Sequence, residues 1–471
     1  MEENEFEEEN VDVRASVAQY EEMVTNHQSQ FFDVNIFEHI VSYYEQHEQW
    51  KKAIRALDHA IEQHPYSSFF LIRKASLLIY YRKFNAVLEL LDKAETMDPF
   101  DSTIYVLRSD VYAGKRQYEQ AIKILEEGIE KFNDPIDKEE LLLELADVYE
   151  DCDEYENVFD SLKKVLDIIH DNEEALSRMW YSVELADKYE ESISLHQEIL
   201  DKNPYSYLAW HNLGNAFYNL DLYEKAIESY EFVTAINESC DLAYRDCGDA
   251  YFQLKQYHKA IEQFQRAIEF SKPYEELFFS VGYCLEKLKD YNKARSYYRK
   301  AITIDPKYSE AYFRIGETFK REKLWENAIH FYKKALRILP DSATYLMAMA
   351  NSFYNLGEIE PFIFTCQSVM ALNAKLKTKT DYEKLAGFLI DLGCTEDALN
   401  LIDFAAFEKG TVGSYAYLRS ICYFKFGKRK EAIAWLEDGL SNHYAKHKLL
   451  FRFAPELKSD PSIAFIIEQY K

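Results

Sequence analysis

Carboxylates are the most abundant reactive groups in this chain, with 82 Asp and Glu against 55 Lys and Arg. At that density acidic pairs meet by chance, so their number alone does not argue for general acid–base catalysis. The twelve histidines are scattered, and no His-x3-His with a nearby acid offers metal-ligand spacing. His196 falls at an apolar register position and reads as a packed core histidine. The seven cysteines form no Cys-x-x-Cys pair. They read as small core residues, and a disulfide framework is not expected in a long helical chain of this kind. There is no Gly-x-Ser-x-Gly elbow. The glycines sit inside helical patterns, where they cannot cradle a phosphate. The chain is therefore expected to be no enzyme and to hold no metal or cofactor.

The elements that would position any site repeat along the chain. Gly214, Gly248, Gly282 and Gly316 are spaced 34 residues apart, as are Ala226, Ala260, Ala294 and Ala328. Phe217, Tyr251, Leu285 and Phe319 follow the glycines at a fixed offset. A period of this length marks a stack of like supersecondary units. Large residues at repeat positions 4, 7, 11 and 24 fall on the apolar faces of two helices. Small residues at 8, 20 and 27 allow close helix approach, and proline at 32 ends the second helix.

The clearest copy, Trp210-x-x-Leu213-Gly214-x-x-Phe217 followed by Ala226, Tyr230 and Val233, resembles the tetratricopeptide repeat (TPR). The resemblance implies an all-α, right-handed α–α superhelix of about twelve helix-turn-helix repeats. They start at Val34, Ser68, Ser102, Glu139, Glu173, Tyr207, Asp241, Glu275, Ser309, Ala343, Lys379 and Gly413. Prolines close repeats at Pro65, Pro99, Pro204, Pro306 and Pro340. Three extra residues near Asn133-Asp134-Pro135 and two near Lys375–Lys379 read as loops. Some copies depart from the pattern: Arg108-Ser109 and Arg419-Ser420 replace Leu-Gly, and Phe362 and Cys366 are irregular. Trp180 is bulky for a close helix contact at position 8; these departures bear on local helix angles and leave the architecture intact.

Residues 1–10 carry six Glu and no basic residue, and read as a solvated, disordered tail; an electrostatic lure for a basic partner is the sharper alternative. Val13, Val17, Tyr20 and Val24 recur at helical spacing, giving an N-terminal capping helix over 11–33. The repeats occupy 34–446. A C-terminal cap follows over 447–471, with Asp460 and Pro461 opening a helix and Ile463, Ile466 and Ile467 facing the last repeat. Leu449–Leu457 is expected to wrap beneath it. The net charge of −27 repels phosphate backbones and anionic membranes, which argues against nucleic acid. No apolar run reaches spanning length and no secretory signal is visible, so the expected compartment is cytoplasmic. Oligomeric state is not legible.

In TPR proteins, positions 2, 5, 9, 12 and 13 of the first helices line a concave groove. Carried onto this chain, the resemblance puts Asp147, Tyr181, His211, Asn215, Tyr218, Asn219, Arg245, Asp249, Tyr283, Phe313, Glu317, Asn351, Tyr354 and Asn355 in a partner-binding groove. Asn215, Tyr218 and Asn219 recur as Asn351, Tyr354 and Asn355. Amide side chains can pair with a peptide backbone and tyrosines offer rigid amphipathic contact. The Lys/Asn/Arg clamp by which some TPR domains hold acidic chaperone tails is not evident. Glu38 and Ser42 stand in the first repeat, and Glu140, Asp147, Glu150 and Asp151 in the fourth. The acidic start, the stretch Asn26–Asp33 and the Phe451–Leu457 ending are similar to the long, uninterrupted TPR proteins of Bacteroidetes-type bacteria. The expected function is a scaffold that binds an extended, basic or neutral peptide or a helix of a partner protein. The alternative is a regulatory or chaperone-like subunit of an enzyme or secretion assembly.

Overall fold

Within each repeat the two helices have lengths set by the sequence. Tyr207–Asn219 and Tyr223–Ile236 form one pair, and Glu275–Lys287 and Tyr291–Ile304 another. A computed structural model describes residues 2–27, 29–272, 274–371, 379–409 and 413–471. Among these residues there are 27 α-helices, α1–α27 in chain order, two short 3-10 turns and no strand. The chain divides into two units, Met1–Glu238 and Ser239–Lys471, each a run of helix pairs.

The first and second helices of a repeat meet where the glycines predicted they would. A Cβ added at Gly214 would lie 2.5 Å from the Tyr230 ring, and one at Gly316 would lie 2.5 Å from the Tyr332 ring. At Gly248 and Gly282 the same atom would meet Phe264 and Tyr298 at 2.7 and 2.8 Å. Position 8 is thus small because the position-24 ring of the same repeat lies flat against its backbone. Ala226, Ala260, Ala294 and Ala328, at position 20, are fully buried.

Each pair is joined by a turn with a left-handed residue at position 15. Glu48, Arg82, Arg116, Asp153, Asp187, Asp221, Lys255, Lys289 and Lys323 have φ between 53° and 64°, and Gly357, Gly393 and Gly427 have φ between 73° and 79°. All twelve repeats therefore share this residue, which fixes their register. The next N–H reaches back to the carbonyl five residues earlier, as in Leu222 N to Phe217 O and Asp290 N to Leu285 O, both 2.9 Å. This is the 6→1 bond of a Schellman ending, and it satisfies a carbonyl the helix leaves open.

Two departures from the repeat pattern take definite form. Near Asn133-Asp134-Pro135, residues 132–134 lie outside any helix as expected, while the remaining extra residues lengthen α8 (Pro135–Asp151) by a turn at its start. Asp134 caps it by accepting from Ile136 N at 2.9 Å, and Pro135 occupies the first turn, where no N–H is needed. Trp180, on α10 (Glu173–Ala186), is half exposed. The helix packs on α9 (Tyr155–Ile168) and α12 (Tyr207–Asn219) more than on α11 (Tyr189–Lys202), its partner by sequence. A bulky indole at position 8 cannot lie against a second helix, so that contact opens. The second insertion, near Lys375–Lys379, lies mostly outside the described residues.

At the N-terminal end α1 (Glu2–Thr25) is helical through the acid-rich stretch as well as the segment read as a cap. Its Val17, Tyr20 and Met23 are buried with Phe37, Ile40 and Tyr44 of the first repeat. At the C-terminal end α26 (Lys448–Phe453) and α27 (Pro461–Gln469) bury Leu450, Phe453 and Ile463 against the last repeats. Asp460 accepts from Ser462 N at 3.0 Å. None of the described helices is long and apolar enough to cross a membrane.

Candidate functional site

In the first unit the residues at positions 9 and 12 of successive first helices gather carboxylates around one arginine. Arg178 pairs with Asp147 at 2.6 Å and Glu150 at 2.5 Å, while the Tyr181 hydroxyl donates to Glu150. One repeat earlier Asp110 hydrogen-bonds Glu144, so one of the two keeps its proton. Burial, then the Asp110 and Asp147 charges, pushes the Glu144 carboxyl up to about 8.

Asn215 is engaged from inside the repeat. The Tyr230 hydroxyl donates to its Oδ1 at 2.7 Å, and its Nδ2 faces His211 Nδ1 at 3.4 Å. The register placed Asn215 on the groove face. It is also the anchor of a buried tyrosine whose ring occupies the inter-helix packing. Asn219 is exposed and donates to Asn215 O at 2.9 Å. Tyr218 lies half-buried, edge-on to Tyr223.

In the second unit the same device recurs. Tyr332 donates to Glu317 at 2.7 Å and Tyr298 donates to Glu286 at 2.8 Å. Glu317 also accepts from Lys320 at 2.8 Å. Tyr283 carries Phe252 on its ring at 5.2 Å and the Arg314 guanidinium at 4.5 Å. Arg314 in turn bonds Glu310 at 2.9 Å. Phe313 is buried, stacked on Tyr345 at 4.5 Å, and is the most enclosed of the predicted set. Arg245 turns to Asp246 at 2.8 Å. Asn355 donates to Asn351 O at 2.7 Å, repeating the Asn219–Asn215 geometry, and Tyr354 stacks on Phe388 at 4.2 Å while donating to Asp391.

Asp249 is different. Its repeat has Phe264 at position 24, so no phenol reaches it, and burial, with Asp246 beside it and Arg245 opposing, pushes its carboxyl up to about 7. Sequence reasoning missed the pairing of positions 9 and 24, although an acceptor at one and Tyr at the other is visible in the chain.

One histidine and four cysteines, Cys247, Cys284, Cys366 and Cys422, are packed in the core. His196 is fully buried with Nδ1 on Ser192, and burial holds it near 4. Burial likewise pushes the Cys284, Cys366 and Cys422 thiols up to about 12, which makes them poor nucleophiles at neutral pH.

Segments 102–130, 207–240, 276–308 and 309–342 match models described as tetratricopeptide repeat, and 248–289 matches one described as TPR repeat. None of the curated proteins matches the chain. Among solved structures it is similar to yeast Tom70, 16% identical over 92% of this chain and 98% of that one, with a TM-score of 0.39. It is also similar to the C-terminal part of a TPR repeat-containing protein from Cytophaga hutchinsonii, 14% identical over 50% and 97% of the two chains, TM-score 0.45. A third is MamA, 26% identical over 35% and 95%, TM-score 0.33.

Proposed function

The chain is a tetratricopeptide-repeat protein, and from that premise we propose that it is a non-catalytic scaffold holding an extended, basic or neutral segment of a partner protein along the first-helix faces. The observation that carries this reading is the side-chain pattern on those faces. In both Asn-x-x-Tyr-Asn copies, positions 9 and 12 are half-buried and position 13 is exposed. Each face thus offers ordered amides and aromatic rings already fixed by internal bonds. Side chains held this way lose little freedom when a ligand arrives. The carboxylates around Asp110 and Glu144 favour a cationic or neutral segment over an acidic one.

The test is capture of partners from the native organism with the wild type and with Asn219→Ala, Asn351→Ala and Asn355→Ala combined. These positions hold no buried tyrosine, so the variant should melt with the wild type. A partner retained by the wild type and lost by the variant supports the reading. Equal capture removes the first-helix faces from consideration, and a partner bound through an acidic tail overturns the charge assignment.

A further inference from the structure

Three arginines in this chain occupy one and the same seat. Arg73, Arg178 and Arg314 all stand at position 6 of their repeats. Each reaches back to the position-12 acid of the preceding repeat. Arg73 Nε lies 3.2 Å from Glu45, Arg178 lies 2.5 Å from Glu150, and Arg314 lies 3.8 Å from Glu286. Arg178 and Arg314 also use the preceding position 9: Asp147 at 2.6 Å for the first, and the face of Tyr283 for the second. An acid and, in the last case, an aromatic ring thus form a guanidinium seat that the next repeat fills.

In the seventh repeat the position-9 acid is kept, a ring replaces the position-12 acid, and no arginine follows. Position 9 is Asp249, position 12 is Phe252, and position 6 of the following repeat is Ser280. A serine has neither the charge nor the reach to replace arginine. Phe252 stands on the ring of Tyr283, which gives the seat an aromatic wall. Arg245 is committed to Asp246, and Lys287 lies over Tyr283 at 4.7 Å. No described side chain hydrogen-bonds or ion-pairs with the Asp249 carboxylate. A largely buried acid with no hydrogen bond or ion-pair contact, its charge offset only in part by Arg245, is costly, and it is relieved by a cation or by holding a proton. Its carboxyl is accordingly raised toward neutrality.

We infer that Asp249 and Phe252 form a subsite for an arginine side chain of the bound segment, the ligand supplying in trans what Arg178 and Arg314 supply in cis. The guanidinium meets the carboxylate with its planar fork and lies against the phenyl ring, a pairing that lysine reproduces poorly. This rests on the scaffold reading and narrows it to one residue type at one repeat.

The test uses the full chain and two fluorescein-labelled pools of short peptides. They are degenerate in Ala, Ser and Gly around a central arginine or a central citrulline, its uncharged isostere. Anisotropy is read at about 0.15 M salt, where diffuse attraction to the acidic chain is screened. The arginine pool should bind the wild type about tenfold more tightly than the citrulline pool. Asp249→Asn, nearly isosteric, should erase most of that ratio. Ser280→Arg should do the same by filling the seat from within. Glu262→Gln, which removes an exposed acid from the second helix of the same repeat, should preserve it. Thermal melting confirms that each variant is folded. A ratio unchanged in Asp249→Asn, with both pools still binding, overturns the subsite and leaves the scaffold reading standing. If neither pool binds, the subsite is also overturned, and the scaffold reading is then decided by partner capture alone.

Discussion

The hydroxyl of Tyr230 donates to Oδ1 of Asn215 over 2.7 Å, from a ring that lies against the backbone of Gly214. One side chain therefore closes the helix pair and, through its tip, orients a residue of the first-helix face. Glu317 with Tyr332 repeats the arrangement at the same two positions. Removing only the acceptor should cost more than removing both partners. Asn215→Ala is expected to destabilise the first unit by about 1–2 kcal/mol, because the phenol is left without its bond. Tyr230→Phe combined with Asn215→Ala should recover part of that loss. A double variant less stable than Asn215→Ala alone would contradict the assignment.

Gly248 faces Phe264 so closely that even a methyl group would have to displace the ring. Gly248→Leu should lower stability by about 1–3 kcal/mol through overpacking. Glu262→Leu, at an exposed position of the neighbouring second helix, should stay within about 0.5 kcal/mol of wild type. Chemical denaturation followed by circular dichroism compares the two. Lys255, in the turn between these two helices, has a φ of 59° and so carries backbone strain.

That strain gives a prediction of its own. A side chain in the left-handed region costs roughly 1–2 kcal/mol, partly offset in a glycine by its greater freedom when unfolded. Lys289→Gly and Lys323→Gly should each raise the melting temperature. Gly393→Ala and Gly427→Ala should lower it, although a Cβ there meets nothing within 4 Å, so that the backbone alone is being tested. Opposite signs for the two pairs are required.

The Asp110–Glu144 pair makes stability depend on pH. Glu144 has a folded value raised to about 8, and Asp110 is raised as well, in each case first by burial. Between the unfolded and folded values the native state holds more protons than the unfolded chain. Stability from this pair is therefore complete below the ordinary carboxylate range, near pH 4, and is lost as pH climbs toward 8. Glu144→Gln keeps the hydrogen-bonding shape without the charge. It should be close to neutral at pH 5 and stabilising at pH 8, as read from melting curves at the two values. A variant whose advantage shrinks as pH rises would refute the shared proton.

Much of this architecture is legible in the sequence because glycine at position 8 and alanine at position 20 record distances between backbones, and few other residues fit there. The helix pairs follow from those two positions and from the apolar spacing around them. The turn was harder to read. Nine of its twelve left-handed residues are Glu, Arg, Asp or Lys, types that do not announce a positive φ, and only Gly357, Gly393 and Gly427 hint at it. The insertion before Glu139 reads as a loop because Asn-Asp-Pro usually breaks structure; Asn133 and Asp134 do lie outside any helix, while Asp134 caps and Pro135 begins one. The face residues were placed by register, but their engagements were not. Asn215 and Glu317 differ from Asp249 because of a residue fifteen positions further on, and Asp147 differs from Asp249 because the next repeat supplies Arg178 to one and only Ser280 to the other.

The turn at position 15 also bears on how the chain comes to be folded. Its bonds join residues five or fewer places apart, so each helix pair can close before any distant part of the chain is in place. Chains dominated by such local contacts fold early and quickly, and ordering can start at several repeats and spread to their neighbours. During synthesis, repeats emerging first can order while later ones are still being made. Hydrogen exchange should then show protection rising from the ends of each unit toward its middle, with no single cooperative step for the whole chain.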